Sequence, residues 1–261
     1  GTWLEPAFLT VDRNDGSWFK LLMSPSDHGD ELFIEQLLSL APHLEGREAQ
    51  GFEGAGTAFI VSPDGLLLTA KHVVEDAISI SVSCNQQPAV PAAVRWMAPS
   101  QTTDLALLET AGDLGTTAFL RLSSRPGASL GDPVFTVGFP VPDLRRSDRP
   151  VYTNGTVSAL AGVRGTPKEL QVSVPVQVGN SGGPLVNSNT GEVVGIVKSS
   201  MNREFFLEET DSLPQNINYA VKSTLAIGTF TAPSADATPP TVVDDIISRA
   251  ANATCLVRTA E

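Results

Sequence analysis

Cations are scarce in this sequence: 17 Lys and Arg stand against 29 Asp and Glu, a formal net charge of −12. Nucleic-acid binding needs clustered cations that neutralise phosphate, so this balance excludes it as a function. The same acidity disfavours anionic membrane surfaces. Long apolar runs are also missing. No stretch approaches the ~20 residues that a bilayer-spanning helix needs, which excludes membrane insertion by helices. The opening Gly1-Thr2-Trp3-Leu4-Glu5-Pro6 has neither the cationic nor the apolar region of a signal peptide, and leaves open a targeting segment removed earlier. Histidine occurs three times and cysteine twice, without clustering, so neither a structural zinc site nor another metal is expected, and no cofactor is. Cys84 and Cys255 either pair in an oxidising compartment or stay buried as thiols; the sequence leaves both open.

What remains is ordinary globular material. The 261 residues are 41% hydrophobic and 18% charged, enough for one or two domains with a core that needs no staples. Residues 1–50 read as an N-terminal extension. Within it Phe33, Ile34, Leu37, Leu38 and Leu40 form one apolar stripe, which predicts a helix over 30–40 that Pro42 stops. Asp27-His28 with Asp30-Glu31 reads as an acidic helix start rather than a metal cluster. From Gly51 the texture changes to short β-rich runs separated by Gly, Pro, Asn and Asp. Runs at 58–61 and 66–69 flank Ser62-Pro63-Asp64-Gly65, a turn signal. Further strands are expected at 78–83, 89–96, 104–109, 133–138, 151–160, 169–174, 184–187, 192–199 and 217–221. So many short strands imply an all-β sandwich or barrel over 51–230. Residues 231–241 read as a Pro/Ser/Ala-rich linker, and 242–261 as a helical tail in which 253–259 extends the helix or forms a lone strand.

Three segments carry chemistry. Leu68-Thr69-Ala70-Lys71-His72 ends the first hairpin, Thr103-Asp104 precedes an apolar strand, and Gly179-Asn180-Ser181-Gly182-Gly183-Pro184 is glycine-rich around a serine. Singly, each has a plain explanation: a loop histidine, a turn acid, a glycine turn. Jointly they supply a nucleophilic hydroxyl, an imidazole to take its proton and a carboxylate to orient the imidazole. The glycines let backbone amides, those of Gly179 and Ser181, approach a developing oxyanion.

These segments resemble the chymotrypsin-like (trypsin-fold) serine proteases, and most closely the HtrA/Deg branch. Gly54-Ala55-Gly56-Thr57-Ala58-Phe59-Ile60-Val61 resembles the opening strand of that branch, and Asn154-Gly155-Thr156-Val157-Ser158-Ala159-Leu160 resembles its Gly-x-Val-Ser-Ala-Leu stretch. The resemblance runs from about Gly54 to Val221. It implies two six-stranded antiparallel β-barrels, here with N- and C-terminal helical extensions. It also implies Ser181 as nucleophile, His72 as general base and Asp104 as orienting acid, with protein or peptide substrates. The position that sets charge in the specificity pocket is Pro175, followed by Val176, so small or medium aliphatic residues are expected before the scissile bond. Val197, Lys198, Ser199 and Ser200 would form the edge on which a substrate strand adds. Residues 201–215, with Glu208, Glu209 and Asp211, read as a solvated acidic loop. The stretch after Val221 is too short for the PDZ domain common in that branch.

Other expectations follow from the resemblance. A homo-oligomer is compatible with it, and a secreted or periplasmic location is favoured over a cytoplasmic one. The competing function is a protein-binding or chaperone-like module whose site is latent until a partner or self-association aligns it. An α/β-hydrolase esterase would need its serine before its histidine, the reverse of the order here. Digestive members of the family carry an Asp before the nucleophile that pairs with a newly cut N-terminus; Asn180 cannot form that ion pair. Cleavage of the chain within residues 1–50 is therefore expected to leave turnover unchanged, and a marked rise in rate after clipping would contradict this.

Overall fold

The computed structural model describes residues 7–12, 18–23, 54–100, 103–123, 127–140, 149–198, 217–230 and 246–260. The chain divides into two compact units, Gly1–Gln50 and Gly51–Glu261. In the first, β1 (Ala7–Asp12) pairs antiparallel with β2 (Trp18–Met23), a hairpin that the sequence reading had left inside an unassigned extension. The helix expected over 30–40 and the acids beside it lie outside the described residues.

The second unit consists of two closed six-stranded antiparallel barrels. The first contains β3 (Gly54–Ile60), β4 (Leu66–Thr69), β5 (Ser79–Cys84), β6 (Val90–Met97), β7 (Ala106–Thr110) and β14 (Thr254–Ala260). The second contains β8 (Pro133–Gly138), β9 (Val151–Ala159), β10 (Glu169–Val172), β11 (Pro184–Asn187), β12 (Val193–Lys198) and β13 (Asn218–Lys222). Each strand expected between 58 and 221 is present within a few residues of its expected ends. The turn between β3 and β4 closes as its residues dictate: Gly65 takes φ +81° and donates to the Ser62 carbonyl at 3.2 Å.

Strand alternation explains why the runs are apolar at nearly every position rather than at every second one. In β4 and β7, Leu67, Ala106 and Leu108 fill the first barrel, while Leu68 and Leu107 face outward. In β8 and β12, Val134, Val194 and Val197 fill the second barrel, and Phe135, Val137, Val193 and Ile196 face outward. The outward residues of both barrels meet in one further buried cluster with Phe59, Leu105 and Leu120. Three apolar volumes therefore hold the unit together, two inside the barrels and one between them.

The chain after 242 corrects the expected helical tail. Among the described residues of the tail, Ile246–Ala253 is helical (α1), and Ala250 and Ala253 bury against the cluster between the barrels. Thr254–Ala260 is β14, inserted between β3 and β5, so the first barrel is closed by the end of the described chain. It is neither a lone strand nor a helix continuation. Its register sets Cys255 opposite Cys84, and the two form a disulfide across a Cα separation of 4.3 Å. The bond joins strands 171 positions apart. Its reduction is expected to lower unfolding free energy by about 2–4 kcal/mol. Urea denaturation with and without reductant measures this, and equal midpoints would mean that the strand ladder alone closes the barrel.

Candidate active site

The pairing of β4 with β7 sets Thr69 opposite Ala106, so the residues just after β4 and just before β7 emerge side by side. His72 occupies a single tight turn, Lys71–Val73, directly after β4, and Asp104 lies two residues before β7. They meet at two points. His72 Nδ1 and Asp104 Oδ2 are 2.7 Å apart, and the His72 backbone N–H donates to Asp104 Oδ1 at 2.9 Å. A carboxylate held by both contacts fixes the tautomer with the proton on Nδ1 and leaves Nε2 as the acceptor. Burial pushes the Asp104 carboxyl up, but the His72 ring, charge and N–H, and then the Lys198 cation, outweigh it. The carboxyl therefore lies below its ordinary value of 3.8.

The Ser181 loop joins the second barrel to this corner. Gly182 has φ +85° and donates its N–H to the Val197 carbonyl at 2.9 Å, while Val197 N donates to the Gly183 carbonyl at 2.9 Å. A Cβ on Gly182 would overlap the Thr57 carbonyl and Thr69 Oγ1, so only glycine fits there. Across the gap, Thr57 on β3 donates its N–H to the Ser181 carbonyl at 2.8 Å. Its hydroxyl donates to the Gly179 carbonyl at 2.6 Å and accepts the Phe139 N–H at 3.1 Å. Its own carbonyl accepts the Thr69 hydroxyl at 2.8 Å. One buried threonine thus ties the serine loop, β8's exit and the strand leading to His72. Gly56 permits the approach, because a side chain there would strike Val73 Cγ1 at 2.6 Å.

Ser181 and Asn180 are buried at 4% exposure. Among the expected pocket residues, Pro175 is exposed, its carbonyl accepting the Thr153 hydroxyl at 2.9 Å, and Val176 packs against the core of the second barrel. Val197 is fully buried, and Lys198 is nearly so, its ammonium 3.1 Å from Glu169 Oε1. Gly195 to Val197 has antiparallel partners on β13 and backbone bonds to β11 or the Ser181 loop. Gly195 to Val197 is thus bonded on both sides, and the edge expected from Val197 to Ser200 runs from there into residues outside the described ones. Ser199, Ser200 and the 201–215 loop lie outside the described residues. Among the described residues no group of three or more His, Cys, Asp or Glu is placed to hold a metal ion.

Sequence comparison now decides the family, since the sequence profile of the trypsin-like peptidase domain matches residues 56–196. The chain belongs to the trypsin-like peptidases. It is 39% identical over 168 residues to an uncharacterized protein, y4bJ, of Sinorhizobium fredii, covering 64% of this chain and 25% of that protein. It is 36% identical over 175 residues to a probable periplasmic serine endoprotease, DegP-like, of Pseudomonas fulva, covering 63% and 33%. The chain thus spans a quarter to a third of the length of these relatives. Among solved structures, the serine endoprotease from Yersinia pestis matches with TM-score 0.53 and 28% identity, over 69% of this chain and 57% of that one. The HtrA-type protease AlgW with decapeptide matches with TM-score 0.52 and 26% identity, over 66% and 49%. No helix among the described residues is long and apolar enough to cross a membrane.

Thr57 is a residue that motif reading passed over, although a polar side chain within Gly54–Ile60 was its signal. Thr57→Val removes the hydroxyl partner of two buried backbone groups and is expected to cost about 2–4 kcal/mol, with Thr57→Ser close to wild type; chemical denaturation of the three proteins checks it. Asp104 gives a pH signature. Because its folded value is depressed, its contribution to stability is present above the ordinary 3.8 and is lost as pH falls through the lower folded value. Asp104→Asn should flatten the fall in stability below about pH 4, measured by urea midpoints across that range.

Proposed function

We propose that this trypsin-like peptidase is a serine endopeptidase acting through an acyl-enzyme. The observation that carries the reading is the two-point His72–Asp104 contact in a peptidase fold whose serine loop is tied to the same corner by Thr57. His72 Nε2, the acceptor of the fixed tautomer, takes the Ser181 proton as Oγ attacks the scissile carbonyl carbon. The carbonyl oxygen becomes an oxyanion, stabilised by the Gly179 and Ser181 amides at about 3–4 kcal/mol for each donor. The resulting imidazolium is stabilised by the Asp104 carboxylate, and it returns the proton to the leaving amine. Water then enters, gives its proton to His72 and releases the acyl group, which restores Ser181.

The substrate class is protein or peptide, and the preference is for small or medium aliphatic residues before the scissile bond. One observation supports that preference: Val176, beside the Pro175 position, packs on apolar core. The Cys84–Cys255 bond favours an oxidising compartment, in line with the periplasmic designation of the Pseudomonas fulva relative.

A fluorophosphonate probe is expected to label the wild-type chain and to lose more than about a thousandfold in rate with Ser181→Ala or His72→Ala. A folded wild type that never labels would instead favour the binding-module reading with a latent site. On peptide substrates, cleavage after Val or Ala should exceed cleavage after Arg by at least about tenfold; equal rates would overturn the aliphatic preference.

A further inference from the structure

The second barrel has two ends of different character. At one, Val197 accepts from the Gly182 N–H and donates to the Gly183 carbonyl, so that end carries the Ser181 loop. The other lies where β10 and β12 begin and β13 finishes, with Gly195 opposite Lys222 and Leu170 opposite Ala220. There a cavity of about 190 Å³ opens among Ala128, Leu160, Leu170, Val194, Lys222 and Thr224. Small barrels are normally filled to the end by their own side chains. This one is not.

Its floor and its rim differ in chemistry. Leu170 and Val194 are almost fully buried and belong to the apolar filling of the barrel, and Ala128 packs on the same cluster. A side chain as short as that of Ala128 leaves room beside them. Lys222 shares strand parity with Ala220, an inward residue, so the last inward position of β13 carries a cation. Its ammonium donates to the neutral Leu160 carbonyl at 2.8 Å, and no Asp or Glu lines the cavity. Among the described residues this half-buried cation has no counter-charge, in a chain whose net charge is −12.

Size and charge together define a ligand. About 150 Å³ of apolar cavity is enough to hold benzene, so this space takes an aliphatic group of about six carbons. Apolar walls with a few polar groups at the edge are the usual build of a small-molecule site. A carboxylate answers the ammonium with a charge-assisted hydrogen bond. A free amino acid does not fit, because its own ammonium would meet no lining acid. We propose that the end of the second barrel away from Ser181 binds an aliphatic monocarboxylate of about six carbons, with its alkyl group against Leu170 and Val194 and its carboxylate on Lys222. An ammonium has three donors, so the bond to Leu160 is kept when the ligand enters. Two sources share this chemistry: a free short fatty acid and the C-terminal aliphatic residue of a peptide. The site is independent of the peptidase reading, since none of His72, Asp104 and Ser181 lines the cavity.

The test reads the cavity directly in the full chain. The ¹H–¹³C methyl signals of Leu170 and Val194, each assigned by its loss on substitution, are followed as hexanoate is added. Titration to about 20 mM captures the weak binding of a ligand with about eight non-hydrogen atoms. Saturable shifts at both residues are expected with hexanoate and none with hexylammonium. Lys222→Met should weaken hexanoate by about tenfold, and Lys222→Arg by less than about threefold. Ala128→Leu, which fills the cavity, should abolish the shifts. If that variant fails to fold, Thr224→Leu narrows the rim from the other side and carries the same expectation. N-acetyl-alanyl-leucine, compared with its C-terminal amide, separates the sources: binding tighter than that of hexanoate assigns the site to peptide C-termini, and weaker binding assigns it to free fatty acids. Methyl signals unmoved by both carboxylates, equal binding of hexylammonium, or hexanoate binding unchanged in Lys222→Met would each overturn the proposal.

Discussion

The joint between the barrels depends on the hydrogen bonds of one buried side chain, Thr57. Its hydroxyl stands between the Gly179 carbonyl and the Phe139 N–H, and its backbone between Ser181 and Thr69. Each of these groups is otherwise a buried donor or acceptor, expensive to leave unmade. Hydrophobic contact between the barrels is strong but not directional. Hydrogen bonds of 2.6–3.1 Å at one residue are directional and fix position. The apolar cluster thus supplies the attraction, and Thr57 supplies the registration between the Ser181 loop and the strand that leads to His72.

The same division of labour appears within the first barrel. β4 and β7 are bound by apolar side chains on both faces, and their register sets where His72 and Asp104 emerge. Neither residue needs a specialised loop of its own; the ends of two paired strands deliver them. What orients them toward each other is polar: the double contact within the pair.

Much of this was legible beforehand, for local reasons. Runs such as Leu105-Ala106-Leu107-Leu108 and Val193-Val194 are short, β-branched or aliphatic, and bounded by turn residues, so they mark strands from their own composition. The turn around Ser181 was legible because Gly179 and Gly182, both at positive φ, answer a backbone constraint that few other residues meet. The non-local features were not. Thr254–Ala260 reads alone as a helix end or a stray strand, since nothing within it says that its partners are Gly54–Thr57 and Ser79–Cys84. The pairing of Cys84 with Cys255 was undecidable for the same reason. Lys198 gave no sign of its partner, because strand parity tells which wall a side chain is on, not what stands opposite it. Glu169 stood opposite, 29 positions away, and only the closed β10–β13–β12 ladder brings them together.

The closing strand also sets a timetable. Five strands of the first barrel are synthesised before any of the second, yet the sixth, β14, comes last of all. Until it emerges, β3 and β5 have unpaired edges and the loop bearing His72 hangs from an open sheet. Loop closure over so long an interval is slow relative to local strand pairing. The second barrel, contiguous in sequence from β8 to β13, has no such wait. A nascent chain can therefore complete its Ser181 loop while His72 and Asp104 still lack a finished scaffold. The corner that holds His72 and Asp104 is complete only once Thr254–Ala260 has been made.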